Sequence, residues 1–116
     1  MDIYHIWCDL KPGTSNLIFS DNIARYLGHL RDEGLIKSWR CTRAKLGFGA
    51  RGLGEWHVMI ETRDMHQLED AFQRVAGRHG PVEGLHHGVN SLATNVTFAL
   101  YRDFPDAVRV HGEEKF

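Results

Sequence analysis

The apolar residues of this 116-residue chain recur with two periods that take turns, and the order of those turns leaves few folds open. Ile3 to Leu10 (IYHIWCDL) is a β-branched and aromatic run closed by Lys11-Pro12-Gly13, which predicts a strand and a turn. From Ser15 to Glu33 the spacing becomes helical: Phe19, Ile23, Tyr26, Leu27 and Leu30 recur at three and four residues and make one apolar stripe. Gly34 supplies the left-handed residue that ends such a helix, with Leu35 placed for the apolar contact of that cap. Gly28, inside the helix at a cost of about 1 kcal/mol against alanine, is read as a close packing contact.

Leu35 to Arg43 and Glu55 to Arg63 return to strand spacing, joined by a segment containing Gly47, Gly49, Gly52 and Gly54. Asp64 and Gln67 then stand at capping-box spacing before a second apolar stripe, Leu68, Ala71, Phe72 and Val75, which Arg78-His79-Gly80-Pro81 stops. Asn95 to Tyr101 is the last strand. The order βαββαβ predicts a ferredoxin-like α+β fold in which an antiparallel four-stranded sheet carries two helices on one face. It spans residues 1–101, and a charged tail, 102–116, follows.

Composition narrows the partners. Hydrophobic residues make up 42% and charged residues 25%, with a formal net charge of -1, so nothing in the total draws the chain to nucleic acid or to an anionic membrane. No apolar run approaches the roughly 18 residues of a membrane span. Met1 to His5 carries no basic stretch ahead of the apolar run, which predicts no secretory signal and a cytoplasmic protein. Cys8 and Cys41 fall within apolar strands, where free cysteine behaves as a small buried hydrophobe.

Alternation divides each strand between two faces. Tyr4, Ile6, Cys8 and Leu10, with Trp56, Val58, Ile60, Val96, Phe98 and Leu100, form the apolar sets assigned to the helix side. The other face holds Trp7, Met59 and Tyr101 beside His5, His57, Arg40, Thr42 and Glu61. A half-apolar face left open marks an interaction site, and pairing two sheets buries it. The expected partner is therefore a second copy.

This pattern resembles the dimeric α/β barrel superfamily. Within it, the chain is most similar to small uncharacterised bacterial proteins near the stress-responsive A/B barrel domains, on Tyr4 to Gly13 (YHIWCDLKPG), Leu85 to Leu92 (LHHGVNSL) and Thr97 to Asp106 (TFALYRDFPD). The resemblance implies two ferredoxin-like subunits sharing a barrel and a stress-related context. The wider superfamily includes cofactor-independent monooxygenases, haem-degrading enzymes and isomerases, so membership does not select a reaction.

Eight histidines concentrate what chemistry the sequence offers. Adjacent strands bring His5 and His57 to one face, where with Glu61 they make either a two-histidine-one-carboxylate metal set or hydrogen-bonded interface groups. His86-His87-Gly88-Val89-Asn90-Ser91 reads as a connection before the last strand, in which His87 is either a general base or, with Asn90 and Ser91, a backbone cap. Gly47 to Gly52 fits G-x-G-x-x-G, but it connects two strands instead of opening a helix, so it is a hairpin connection, lid or dimer arm and not a dinucleotide site. Arg40, Arg43, Lys45 and Arg51 make strand two and its loop basic, a solvated surface or a place for an anion. Phe104, Val108, Val110 and Phe116 give the tail apolar anchors for contacts across a dimer.

Two functions follow. One is a homodimeric barrel with a small-molecule cleft, in which His5, Trp7, Arg40, Met59 and Asn90 meet the ligand. The other is a cofactor-independent monooxygenase or isomerase acting on a conjugated substrate, with His57, His87 and Tyr101 as its catalytic residues. The enzyme reading requires an internal cavity bordered by His57 or His87. Neither calls for a metal or a cofactor.

Overall fold

The computed structural model describes residues 1–113. Seven elements follow one another: β1 (Asp2–Leu10), α1 (Asn16–Asp32), β2 (Ser38–Arg43), β3 (Trp56–Thr62), α2 (Met65–Ala76), α3 (Gly80–Asn90) and β4 (Ala93–Arg102). The strands form one antiparallel sheet in the order β2-β3-β1-β4, the ferredoxin-like arrangement expected from the sequence. Principal extents of 55 × 37 × 18 Å describe a slab, one sheet and one helical layer thick. Its radius of gyration, 16.0 Å, exceeds the roughly 13 Å of a compact chain of this length.

Capping sets the helix ends. Ser15 Oγ accepts from Ile18 N to start α1. At its other end Gly34, at φ +76°, lets Gly34 N reach Arg31 O and Leu35 N reach Leu30 O at 2.9 Å each, with Leu35 packed on the core. Asp64 Oδ1 accepts from Gln67 N at 2.9 Å to start α2. The reciprocal arm departs from a capping box: Gln67 Oε1 accepts from Arg63 N at 2.7 Å, while its Nε2 donates to Gly34 O at 3.0 Å. One buried amide thereby ties the end of α1 to the start of α2.

Among the described residues there are three helices, not two. α2 ends at Ala76 with Gly77 as its cap, and Gly80-Pro81, read as its stop, opens α3 instead, since proline has no N–H to lose in a first helical turn. The segment read as a connection is therefore helical. Val82, His86 and Val89 share its inner side, and Asn22 Nδ2 donates to Gly88 O at 3.0 Å to hold α3 on α1.

Phe19, Ile23, Leu27 and Leu30 of α1, Leu68 and Ala71 of α2 and Val82 of α3 pack over Cys8, Trp56, Val58 and Ile60 of the sheet. The predicted face assignment holds on β1 and β3. On β4 the apolar set faces the helix side, as Phe98 does beside Tyr4, but the helices stop short of this edge strand, so Phe98 stays 61% and Leu100 52% exposed. Phe72, predicted buried, lies at the same margin. β4 also carries a bulge. Trp7 pairs with Thr97 and Asp9 with Thr94, two steps on β1 against three on β4, with Asn95 at φ +52° supplying the extra residue. Asp9 braces this point, accepting from Glu55 N at 2.9 Å and from Asn95 Nδ2 at 3.1 Å.

Beyond β4 the chain runs without regular structure, tied by Asp103 N to Met1 O at 3.0 Å and by the Arg102–Asp106 pair at 2.7 Å. Glu114, Lys115 and Phe116, read from sequence as part of the tail, lie outside the described residues.

Two glycines have opposite meanings. Gly28 has nothing within 4 Å of the place a Cβ would take, so it is not the packing contact its position suggests. At Gly54 a Cβ would stand 2.8 Å from Cys8 Cα and closer still to the Cys8 carbonyl. Gly28→Ala is expected to stabilise the fold by about 0.5–1 kcal/mol. Gly54→Ala is expected to cost about 2 kcal/mol, seen as a melting temperature lower by roughly 10 °C; equal melting of the two variants would contradict this reading.

Candidate functional site

Two clusters stand on opposite sides of the sheet. On the open face, register brings four rings into a ladder. Trp7 pairs with His57 across β1 and β3, and their rings stack at 4.3 Å and 11°. His5 stacks on His57 at 5.1 Å and on Trp7 at 5.5 Å, and meets Tyr101 edge-on at 4.9 Å. His5 Nδ1 and His57 Nε2 are 2.8 Å apart, so one imidazole donates and the other accepts. Arg40 and Met59 are cross-strand partners on the same face.

In this arrangement the two histidines are turned to each other. Their facing nitrogens satisfy each other, and Glu61 Oε2 accepts from Ser38 Oγ at 2.9 Å instead of turning to them. Among the described residues no group of three or more His, Cys, Asp or Glu is placed to hold a metal ion. The set is a network of stacked aromatic and polar groups on the open face.

The second cluster lies between sheet and helices. A cavity of about 300 Å³ is walled by apolar side chains, among them Ile6, Phe19, Ile23, Val58, Ala71 and Phe98. Its polar lining is sparse: Tyr4, Tyr26, His86 and Asn90, with the Cys8 thiol. The Tyr26 and His86 rings approach to 5.4 Å. Tyr4 stacks on Phe98 at 5.8 Å and meets Phe72 edge-on at 5.3 Å, forming the wall toward β4.

Burial tunes these groups toward their neutral forms. It pushes the Tyr26 hydroxyl up to about 12, with Tyr4 nearby adding to the effect, and it raises Tyr4 as well. The Cys8 thiol is pushed up to about 11 by burial, then by Cys41 and Asp9, so it packs and does not react. His86 is held below the ordinary histidine range, first by burial and then by Arg78 and His87, against an opposing pull from Glu83. A neutral imidazole beside an apolar cavity can accept a proton at neutral pH.

The sequence-predicted residues are thus divided. His5, Trp7, Arg40, Met59, His57 and Tyr101 gather on the open face. Asn90 lines the cavity on the far side of the sheet, and His87 lines a groove next to it, between α2 and α3. The enzyme reading called for a cavity bordered by His57 or His87; a cavity is present, but neither of them lines it, and His86 does. Sequence reading missed His86, Tyr26 and Tyr4 as site residues. Only with α3 known to be helical do Val82, His86 and Val89, at spacings of four and three residues, fall on one face.

The model of a family of unknown function (DUF6614) matches residues 1–116. A search of the curated proteins returned no match. Among solved structures, the chain is similar to the Arabidopsis thaliana protein At3g17210, at a TM-score of 0.69 and 12% identity, covering 95% of this chain and 100% of that one. It is similar to SnoaB, a cofactor-independent oxygenase from Streptomyces nogalater, at 0.65 and 12% identity over 93% and 97% of the two chains. It is also similar to a dimeric ferredoxin-like protein of unknown function from Jannaschia sp. CCS1, at 0.64 and 9% identity over 89% and 100%. These likenesses establish the shared fold.

The histidine ladder has a pH signature. Burial lowers the pKa of His5, and burial together with the His5 charge lowers that of His57. An imidazole depressed in the folded state binds fewer protons there than in the unfolded chain, where it titrates near 6.5. Its contribution to stability is complete above that value and is lost as pH falls through the folded pKa below it. The melting temperature is expected to drop between pH 7.5 and pH 5, with His86 acting in the same direction. Replacing His5 and His57 together with glutamine flattens part of that slope; a wild-type melting temperature constant over this range would refute the account.

Proposed function

We propose, for a chain that belongs to a family of unknown function (DUF6614), that the protein is a homodimer in which each protomer holds one small, largely apolar molecule between its sheet and its helices. The cavity carries this reading. Its volume of about 300 Å³ matches the lower end of small-molecule sites, which are mostly apolar with a few convergent polar groups. Tyr26, His86 and Asn90 are such groups. The ligand orders itself by its polar end against them and by its apolar body against Ile23, Val58 and Ala71.

The slab shape and the open face support the dimer. Trp7, Met59 and Tyr101 with the His5–His57 pair form a ring-rich surface on one side of a sheet whose other side is covered by helices, and two such faces bury each other. The similar Jannaschia protein is described as dimeric. Tail residues Phe104 and Val108, both almost fully exposed, offer each protomer an arm for its partner. In this assembly His5, Trp7, Arg40, Met59, His57 and Tyr101 serve the dimer, and the ligand-facing roles pass to the cavity residues. Two free cysteines fit a reducing cytoplasm.

A second reading is enzymatic. His86, neutral and at the cavity wall, would take a proton from an activated C–H or O–H of a conjugated substrate, as a cofactor-independent oxygenase or isomerase requires. The likeness to SnoaB favours that class over others.

Light scattering is expected to give twice the chain mass, and Trp7→Glu to give monomer; a monomeric wild type ends the dimer reading. For the cavity, 1-decanol titrated calorimetrically is expected to bind one molecule per chain with a negative heat-capacity change. Each methylene removed from the alcohol weakens binding about fourfold, the equivalent of about 0.8 kcal/mol. Val75→Phe, narrowing the cavity from α2, is expected to weaken binding at least tenfold with an unchanged circular dichroism spectrum; absence of any alkanol binding to wild type would overturn the reading.

A further inference from the structure

The open face carries one hydrogen bond whose existence depends on a proton count. His5 Nδ1 and His57 Nε2 lie 2.8 Å apart with their rings within 21° of parallel, so one N–H donates to one bare nitrogen. A first added proton goes to the outer nitrogen of the donor ring and leaves this bond in place, now charged. A second puts hydrogens on both facing nitrogens and breaks it. We propose that the pair is a proton-operated latch on the homodimer: neutral, it lets two sheet faces close on each other, and protonated in mildly acidic solution it parts them. The proposal rests on the dimer reading above and specifies how that assembly is regulated.

The position of the pair carries the argument. β1 and β3 are the inner strands of the order β2-β3-β1-β4, so the two imidazoles stand in the middle of the face and not on its rim. Trp7 lies against both rings, 5.5 Å from His5 and 4.3 Å from His57, and Tyr101 closes on His5 at 4.9 Å. When two copies pair about a two-fold axis, one patch meets the same patch of its partner. An imidazolium there is shut away from water among aromatic rings and brought toward its symmetry mate, and both changes disfavour the charge. Separation returns it to water.

The neighbours on this face do not relieve that charge. β2 contributes Ser38, Arg40 and Thr42, and the Arg40 guanidinium opposes a further cation. β3 adds Met59 and Glu61, the latter turned to Ser38 Oγ at 2.9 Å. β4 adds Thr97, Ala99 and Tyr101, and β1 adds Ile3 and Asp9, the latter turned to Glu55 N and Asn95 Nδ2. Of these residue types histidine is the one that titrates near neutrality. Burial already lowers His5 in the single chain, as burial and then the His5 charge lower His57, and closing the dimer extends that burial. The dimer therefore binds fewer protons than two free chains. Its affinity is complete above the ordinary histidine value of about 6.5 and falls as the pH drops below it.

The test follows the monomer–dimer equilibrium by sedimentation velocity over a dilution series at pH 8, 7, 6 and 5, well below the melting temperature, with circular dichroism on the same samples. Wild type is expected to dimerise at pH 8 and 7, to have a dissociation constant weaker by about a hundredfold or more at pH 5, and to dimerise again on return to pH 7. The circular dichroism spectrum should not change. His5→Gln with His57→Gln is expected to dimerise at pH 7 and to keep its dissociation constant within about threefold down to pH 5. His86→Gln, in the helical layer, and His111→Gln, in the tail, should keep the wild-type slope. As a measurement free of variants, diluting wild-type dimer at pH 6 in two buffers of different ionisation enthalpy should show net proton uptake by calorimetry. A dissociation constant unmoved by pH, a slope that survives in the double variant or vanishes in His111→Gln, unfolding that accompanies separation, or no proton uptake overturns the latch and leaves the dimer. A wild type monomeric at every pH ends the dimer reading and the latch with it.

Discussion

Strand β1 is paired along both edges, by β3 on one side and β4 on the other, and its residues alternate without a break from Tyr4 to Trp7. A strand bonded on two sides cannot slip by one residue without exchanging every side chain between the faces. Here an exchange would put His5 and Trp7 into the apolar core and Ile6 and Cys8 into the open. The cost of burying an unmatched imidazole on one side, and of exposing the core set on the other, fixes the register of the whole sheet. Everything else is hung on that choice: the α1 stripe packs on Cys8 and Val58, and the ring ladder exists because Trp7 and His57 fall opposite each other.

The parts of the fold that strong local physics governs were legible in the sequence. Period-two alternation identified the strands and their faces, and Gly34 and Asp64 marked helix ends through left-handed and side-chain caps that act within a few residues. The third helix was not legible by the same signals. Its Gly84 and Gly88 lower helix propensity, its Gly80-Pro81 start reads equally well as a stop, and its apolar positions are few. Packing on α1, through Asn22 and Val82, decides the matter, and that is a tertiary effect.

The candidate site was legible to the same degree and for the same reason. Histidines on strands could be paired because alternation places them, so the His5–His57 contact was within reach of sequence reasoning. His86 could not be told from its neighbour His87 while the segment lacked a helix. In extended chain the two imidazoles diverge with no rule to rank them; in a helix they are about 100° apart, one against the cavity and the other in the groove. Gly28 shows the converse: its rarity in a helix interior argued for a contact that does not exist.

The bulge at Asn95 lets one strand be read in two frames. Ala93 and Phe98 both line the cavity although five residues separate them, an odd interval that an unbroken strand would send to opposite faces. The extra residue resets the parity. The first half of β4 can therefore continue the apolar lining that Val89 and Leu92 begin, while the second half presents Tyr101 to the ring ladder. Asp9, bonded to Asn95 and to Glu55, works as the hinge pin of that change of frame, so a side chain on the open face determines which residues wall the chamber behind the sheet.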